Sequence, residues 1–227
     1  MTFCQKMNDE THAPTGTKRQ RTRDQLLVAA QEILIEHAAA GLGIKDIAHR
    51  ASMVHATFYN YYDSVAALLD DLGDLFMVTH GLAVRRAVAG VEDPARVFTL
   101  TTRLLLEFFA RSRGYGTVLF DSGLPVDRFV QRLRIPLRMD LEAGKAAGQF
   151  AIADPDVAVS LVTGAVLGLA LDLHRGRIGA DRVAPATANL LVLLGLDRSE
   201  AERLAGEFTD IPEPPELPLR WMTIAEA

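Results

Sequence analysis

Apolar residues recur at helical spacing along almost the whole chain. In "TRDQLLVAAQEILIEH" (22–37), Leu26, Ala30, Ile33, Leu34 and His37 follow a 3.6-residue repeat. Thr22, with Gln25 three residues on, predicts a capping box at the start. Gly41 and Gly43 in "AAGLG" predict the stop. A short second helix is predicted over 44–51, with Ile44, Ile47, Ala48 and Ala51 on one side. A turn at "SMV" leads to a third short helix over 55–62, where Phe58 and Tyr62 stand at i and i+4 and share a face. Asp63 and Ser64 cap a longer helix running towards Gly90. The pattern continues as helices from Pro94 to Arg113, from Val126 to Ala147, from "DPD" (154–156) to Arg177, from Val183 to Leu196 and from Ser199 to Phe208. Pro136 should kink or split the second of these. A short apolar segment spans 115–122, and the tail "IPEPPELPLRW" is Pro-rich and extended. No strand-like alternation is bounded by hairpin turns, so the prediction is an all-α chain of about nine or ten helices.

Composition changes this picture little. At 227 residues, 49% hydrophobic and 23% charged, the chain is long enough for a core without disulfides. The single cysteine, Cys4, gives no internal disulfide, and residues 1–20 hold no apolar signal segment. The longest strongly apolar run, Val157 to Leu171, is 15 residues, against the roughly 20 a bilayer span requires. These features predict a cytoplasmic protein without a membrane partner. Charge is more informative. The net charge is −5, and all of that excess lies after residue 65, because residues 1–65 carry seven Lys/Arg and seven Asp/Glu. Within this neutral part, "KRQRTR" (18–23) forms a basic arm.

The proportions of the second and third helices are those of a helix-turn-helix. The stretch "ASMVHATFYNYYDS" (51–64) holds four aromatic rings and no Lys or Arg. Phe58 and Tyr62 are expected to pack inward on Leu34 and Ile47. Tyr59, Tyr61, Asn60, Thr57 and His55 are expected to face outward. Tyrosine hydroxyls suit phosphates, an Asn pairs with adenine, and a Thr methyl meets a thymine methyl. Ala56 is small enough to let the helix approach a groove wall. A satellite core with some exposed tyrosines reads these residues equally well on pattern alone.

Residues 20–70, through "TRDQLLVAA", "IKDIAHRA" and "TFYNYYDS", resemble the N-terminal domain of the tetracycline-repressor (TetR) family of bacterial transcription regulators. Residues 1–17, polar and without periodicity, are expected to form a disordered arm. The resemblance implies a DNA-binding domain at 18–66 with its helix-turn-helix at 43–62, and a helical effector-binding and dimerisation domain at 67–210. The tail at 211–227 follows. It implies that Arg19, Arg21, Arg23 and Lys45 meet phosphates, and that His55, Ala56, Thr57, Tyr59, Asn60 and Tyr61 line the DNA face. Three positions depart from the family pattern. Ser52 stands where Gly is usual, Val54 where a Ser/Thr cap is usual, and Val65 where a Lys is usual.

No GxxxxGK[ST], HExxH, CxxC or GxSxG motif occurs, so no cofactor, metal site or catalytic set is expected. Phe76, His80, Phe98, Phe108, Tyr115 and Phe120 are candidates for lining an apolar effector cavity. Gly164, Ala165 and Gly168, with Leu161, Leu190 and Leu194, suit a close helix pair at a homodimer interface. Arg103 and Glu107 are read as a solvated i, i+4 pair. The expected protein is a homodimeric, ligand-responsive regulator of double-stranded operator DNA, a repressor released by a small apolar effector. A helical enzyme with an apolar pocket and a protein-binding helical module are the rival readings.

Overall fold

A computed structural model describes residues 17–37, 42–123, 126–208 and 211–221, with only the backbone of 126–129. Gly41 and nearly all of the expected N-terminal arm lie outside these. The described residues form ten α-helices and no strand: α1 (Lys18–His37), α2 (Ile44–Arg50), α3 (His55–Phe58), α4 (Val65–Ala87), α5 (Pro94–Arg111), α6 (Arg113–Gly116), α7 (Val126–Ala146), α8 (Pro155–His174), α9 (Val183–Leu193) and α10 (Arg198–Glu207). A π-helical turn, Thr117–Asp121, continues α6, and a 3-10 turn, Ala180–Arg182, precedes α9. Two compact units result. One holds the described residues of 17–79, 114–126 and 215–221. The other holds those of 80–113 and 127–214.

The helix ends follow local chemistry, sometimes one turn away from the expected place. Helix α1 begins at Lys18, not at Thr22. "TKRQ" (17–20) is a second capping box, in which the Thr17 N–H donates to Gln20 Oε1 at 2.9 Å and the Gln20 N–H donates to Thr17 Oγ1 at 3.3 Å. The Thr22 hydroxyl instead donates back to the Lys18 carbonyl at 3.0 Å. The third helix is shorter than expected, because turns replace helix after Phe58. Pro136 lies inside α7 without splitting it. Asp93, Asp154 and Asp197 cap α5, α8 and α10, and each accepts backbone N–H groups of the first turn.

In the larger unit α5 is central and packs on α8, α9 and α10. Val97, Leu100, Leu104 and Phe108 are buried along it. Arg103 and Glu107 are buried as well, at 8% and 5% exposure, which overturns the solvated reading. Glu107 accepts from Arg103 at 3.2 Å and from Arg111 Nε at 3.0 Å. Arg103 also donates to the carbonyls of Ala205 and Phe208 at the end of α10. An i, i+4 ion pair reads the same in sequence whether or not another helix covers it. Helix α8 is 20 residues long and has the length and composition of a membrane span, with a mean hydropathy of 1.8. Its Val159, Val162, Val166, Ala170 and Leu173 are buried in this unit.

Glu107→Ala should remove about 3–5 kcal/mol from the unfolding free energy, because it leaves a buried guanidinium without its partner. Urea denaturation followed by circular dichroism measures it, and Glu107→Gln should lose less.

Candidate nucleic-acid interface

The smaller unit is built around α1. Leu26, Leu27, Ala30, Leu34, Ile47, Phe58, Leu68, Leu72 and Leu75 are fully buried. Phe58 and Tyr62 do face inward, at 0% and 6% exposure, with ring centroids 5.8 Å apart. The outward set is also where pattern placed it. His55, Ala56, Tyr59 and Asn60 are exposed, and Thr57 and Tyr61 are half-exposed. His55 stacks edge-on to Tyr59 at 5.3 Å, and the Arg19 guanidinium lies 5.8 Å from the Tyr61 ring centre. Start of α1 and tyrosine turn thus share one surface. Lys45 is exposed at the start of α2, and Arg21 is exposed on α1.

Arg23 is placed differently from its fellow arm residues. Its Nε donates to Asp71 Oδ2 at 2.7 Å and its Nη2 to Asp71 Oδ1, while its guanidinium lies 5.8 Å from the Trp221 ring centre. It is engaged within the protein, which leaves it less to offer a phosphate. Tyr62 OH donates to the same carboxylate. Burial, then the Asp71 hydrogen bond, pushes the Tyr62 phenol well above its usual pKa, so it stays a donor.

Pattern reading missed the groups that hold this unit together. Gln31 is fully buried, and its amide closes a two-bond ring with the tail: the Leu219 N–H donates to Oε1 at 2.7 Å, and Nε2 donates to the Leu219 carbonyl at 2.9 Å. The Trp221 N–H donates to Asp24 at 3.0 Å, and its indole N–H donates to Asp71 at 3.2 Å. The extended tail expected after residue 210 is therefore bound, over 217–221, to the bundle that carries the tyrosines. A signal existed. Gln31 lies four residues after Leu27 and three before Leu34, and Asp71 lies three after Leu68 and four before Leu75. A polar residue on a buried stripe demands a partner.

The three departures have visible consequences. Ser52 takes φ +57° at the C′ position of α2. Its N–H donates to the His49 carbonyl at 2.9 Å, and the Met53 N–H donates to Ala48 at 2.8 Å, which is the Schellman pattern that glycine favours. Val54 is the N-cap of α3, 71% exposed, and supplies no side-chain cap. Val65 opens α4 behind Ser64, whose hydroxyl accepts from the Ala67 N–H at 3.1 Å.

The other candidates divide between the two units. Phe76 and Tyr115 meet edge-on at 4.9 Å in the smaller unit, to which Phe120 also belongs. His80, Phe98 and Phe108 belong to the larger one, where Phe98 and Phe108 are buried and His80 meets Phe108 edge-on at 6.0 Å. Leu190 and Leu194 are buried within the chain, at 4% and 2%, so they are core residues and not an open face. Leu161, Gly164 and Gly168 are exposed on α8, and Ala165 is half-exposed. Among the described residues no group of three or more His, Cys, Asp or Glu is arranged to hold a metal ion.

A helix-turn-helix bundle with an uncharged tyrosine turn, in a chain that also carries a larger helical unit, defines a DNA-binding regulator. Residues 26–72 match the family model of bacterial regulatory proteins of the tetR family, and residues 93–207 match the tetracyclin repressor-like C-terminal domain. The chain belongs to the TetR family and is a ligand-responsive transcription regulator. Among solved structures it is similar to RolR in complex with resorcinol, at 26% identity over 87% of this chain and 98% of that one, with a TM-score of 0.69. The fold is shared with the fatty acid degradation regulator FadR from Bacillus halodurans, at 19% identity, 77% and 99% coverage and a TM-score of 0.65. It is also shared with NalD, the secondary repressor of the MexAB-OprM multidrug efflux pump in Pseudomonas aeruginosa, at 16% identity, 76% and 96% coverage and a TM-score of 0.61. No curated protein sequence matches the chain.

Ser52→Gly should raise stability by about 1 kcal/mol by relieving the left-handed serine. Val54→Thr should add about 1 kcal/mol of capping. Gln31→Leu should remove about 1–3 kcal/mol, because it strands the buried Leu219 backbone groups. Equilibrium urea unfolding of the three variants gives all three signs.

Proposed function

We propose that the chain is a cytoplasmic, homodimeric repressor that leaves its operator when a small effector binds the C-terminal domain. The single observation that supports this best is the surface of the smaller unit. The chain exposes His55, Ala56, Tyr59 and Asn60 beside Arg19, Arg21 and Lys45, while Phe58 and Tyr62 hold the turn from behind. The roles divide by charge. Residues 53–65 contain no Lys or Arg, so this turn releases few counterions. Arg19, Arg21 and Lys45 supply the salt-dependent affinity, and Thr57, Asn60 and the tyrosine hydroxyls supply register and base contact. Arg23 acts indirectly, by fixing α1 to Asp71.

Two copies are required to read a near-palindromic site in successive major grooves, roughly 34 Å apart. The face that suits the pairing is the exposed stripe of α8, Val157, Leu161, Gly164 and Gly168, with Leu193 of α9. A Cβ built on Gly164 or Gly168 meets nothing within 4 Å, so nothing in the chain itself requires glycine at either position, which leaves close approach by a second helix as the reason for them. RolR, seen with resorcinol, supports a small effector. The family is one of regulators, and the chain is read as such and not as an enzyme.

A gel shift against the gene's own upstream DNA tests the reading, and a protein that ignores this DNA would remove it. Asn60→Ala should cost roughly 1–3 kcal/mol on the specific site and little on other DNA. Lys45→Ala and Arg21→Ala should weaken binding to all DNA and should each lower the log–log salt slope by about 0.9. Gly164→Leu should raise the monomer fraction in sedimentation, and an unaltered dimer would place the interface elsewhere.

A further inference from the structure

The larger unit holds an unusual set of buried polar atoms. His80 Nδ1 on α4, Thr101 Oγ1 on α5, Asp140 Oδ1 on α7 and Thr163 Oγ1 on α8 are buried and have no hydrogen-bond partner in the protein. Asp140 and Thr163 are 7% and 4% exposed as whole residues. A threonine inside a helix ordinarily returns its hydroxyl to the carbonyl four residues back. Thr99 and Thr187 of the same unit do so, at 2.7 and 2.9 Å, and Thr101 and Thr163 do not. Unpaired buried polar groups are costly, so a native fold that keeps several of them in one unit calls for an explanation. Burial pushes the Asp140 carboxyl up to about 7 and the His80 imidazole down to about 4.

The surrounding contacts bring the end of α7 against the start of α5. The Phe150 ring lies where a Cβ on Gly144 would stand, and it meets Phe98 edge-on at 5.9 Å. Gln149 holds the same turn to the start of α5, accepting from the Ala95 N–H at 3.1 Å. The end of α7 is therefore pinned to the beginning of α5. Asp140 stands one turn back from Gly144, and Thr101 one turn on from Phe98. One face of α5 carries Phe98, Thr101 and Phe108 in succession, with His80 against Phe108. The nearby arginines do not reach Asp140 Oδ1: Arg138 is bound to Asp156, and Arg134 donates to Ser160 at 3.2 Å, both towards α8.

We propose that Asp140 and Thr101 are polar contacts of the effector site, and that the effector is a small hydroxylated aromatic, a phenol, in place of the largely apolar molecule expected from the aromatic content. This deepens the regulator reading and rests on it. Phe98 and Phe150, which meet edge-on, offer such a ring an aromatic wall one helical turn from both Thr101 and Asp140. The phenol O–H donates to the Asp140 carboxylate, and a second oxygen finds the Thr101 hydroxyl. Such a site rejects an analogue without the hydroxyl, because the protein's polar atoms then stay unpaired.

The test is calorimetric titration of full-length protein with phenol, resorcinol, toluene and cyclohexanol, with operator release followed in parallel. Phenol or resorcinol should bind and release DNA, and toluene and cyclohexanol should bind at least about tenfold more weakly. Asp140→Asn should fold, keep its ligand-free operator affinity and weaken the phenols by at least about tenfold. Asp140→Leu should abolish their binding while melting no lower than the wild type. Toluene or cyclohexanol binding as tightly as the phenols, no probe binding at all, or a folded Asp140→Asn with wild-type affinity would each overturn the proposal. So would failure of both variants to fold, since Asp140 would then be structural. Loss of the regulator reading is a separate result: it would show as a wild-type protein without affinity for its upstream DNA, whatever the calorimetry gives.

Discussion

One carboxylate organises the DNA-binding unit. Asp71 accepts from Arg23 on α1, from Tyr62 at the end of the tyrosine turn and from the Trp221 indole in the tail. It joins segments that lie 48, 9 and 150 residues away in the chain. Each donor satisfies a lone pair that burial would otherwise leave expensive, and the guanidinium neutralises the charge. The orientation of the exposed side chains depends on this. Helix α3 is only four residues long and has no side-chain cap. A helix that short does not hold itself together. Phe58 beneath it and Tyr62, tied to Asp71 after it, supply the rigidity that a longer recognition helix would draw from its own hydrogen bonds.

The same arrangement explains why a chain with a strained turn keeps its form. Ser52 in the left-handed region and Val54 at a cap position each cost about 1 kcal/mol against the usual choices. Both losses fall on the link between α2 and α3, where the inward rings and the carboxylate hub act. The compensation is long-range and comes from α1, α4 and the tail. It is also polar, so its geometry is directional and fixes the turn in a way apolar packing alone does not.

Much of this was legible in the sequence, and the parts that were not share a cause. Helical period identified the helices and put Phe58 and Tyr62 inside and Tyr59 and Asn60 outside, because side-chain direction follows from spacing. Helix ends were less certain. "TKRQ" and "TRDQ" both satisfy the capping box, and the chain uses the first, with the Thr22 hydroxyl turned back to the Lys18 carbonyl inside the helix. The pairings of Asp71 with Trp221 and of Gln31 with Leu219 span the chain, and no local pattern encodes them. Burial of the Arg103–Glu107 pair and of Leu190 and Leu194 likewise depends on which helix arrives from elsewhere. The sequence did mark the positions of Gln31 and Asp71, as polar residues on apolar stripes, without naming their partners.

Two buried aspartates show how far such a mark can be taken. Asp71 and Asp140 are equally enclosed, each 7% exposed. Asp71 is met by a guanidinium, a phenol and an indole N–H, so its burial is explained by the unit it holds together. Asp140 has an oxygen with no donor, beside arginines that bind elsewhere, and desolvation alone raises its pKa. A carboxyl group kept in that state is costly to the fold, and an Asn or Leu would avoid its desolvation. The proposed phenol hydroxyl is the donor that would meet it. The contrast separates structure from ligand recognition within one protein: the same residue type, at the same burial, stabilises the fold where its donors are internal, and marks a binding site where they are missing.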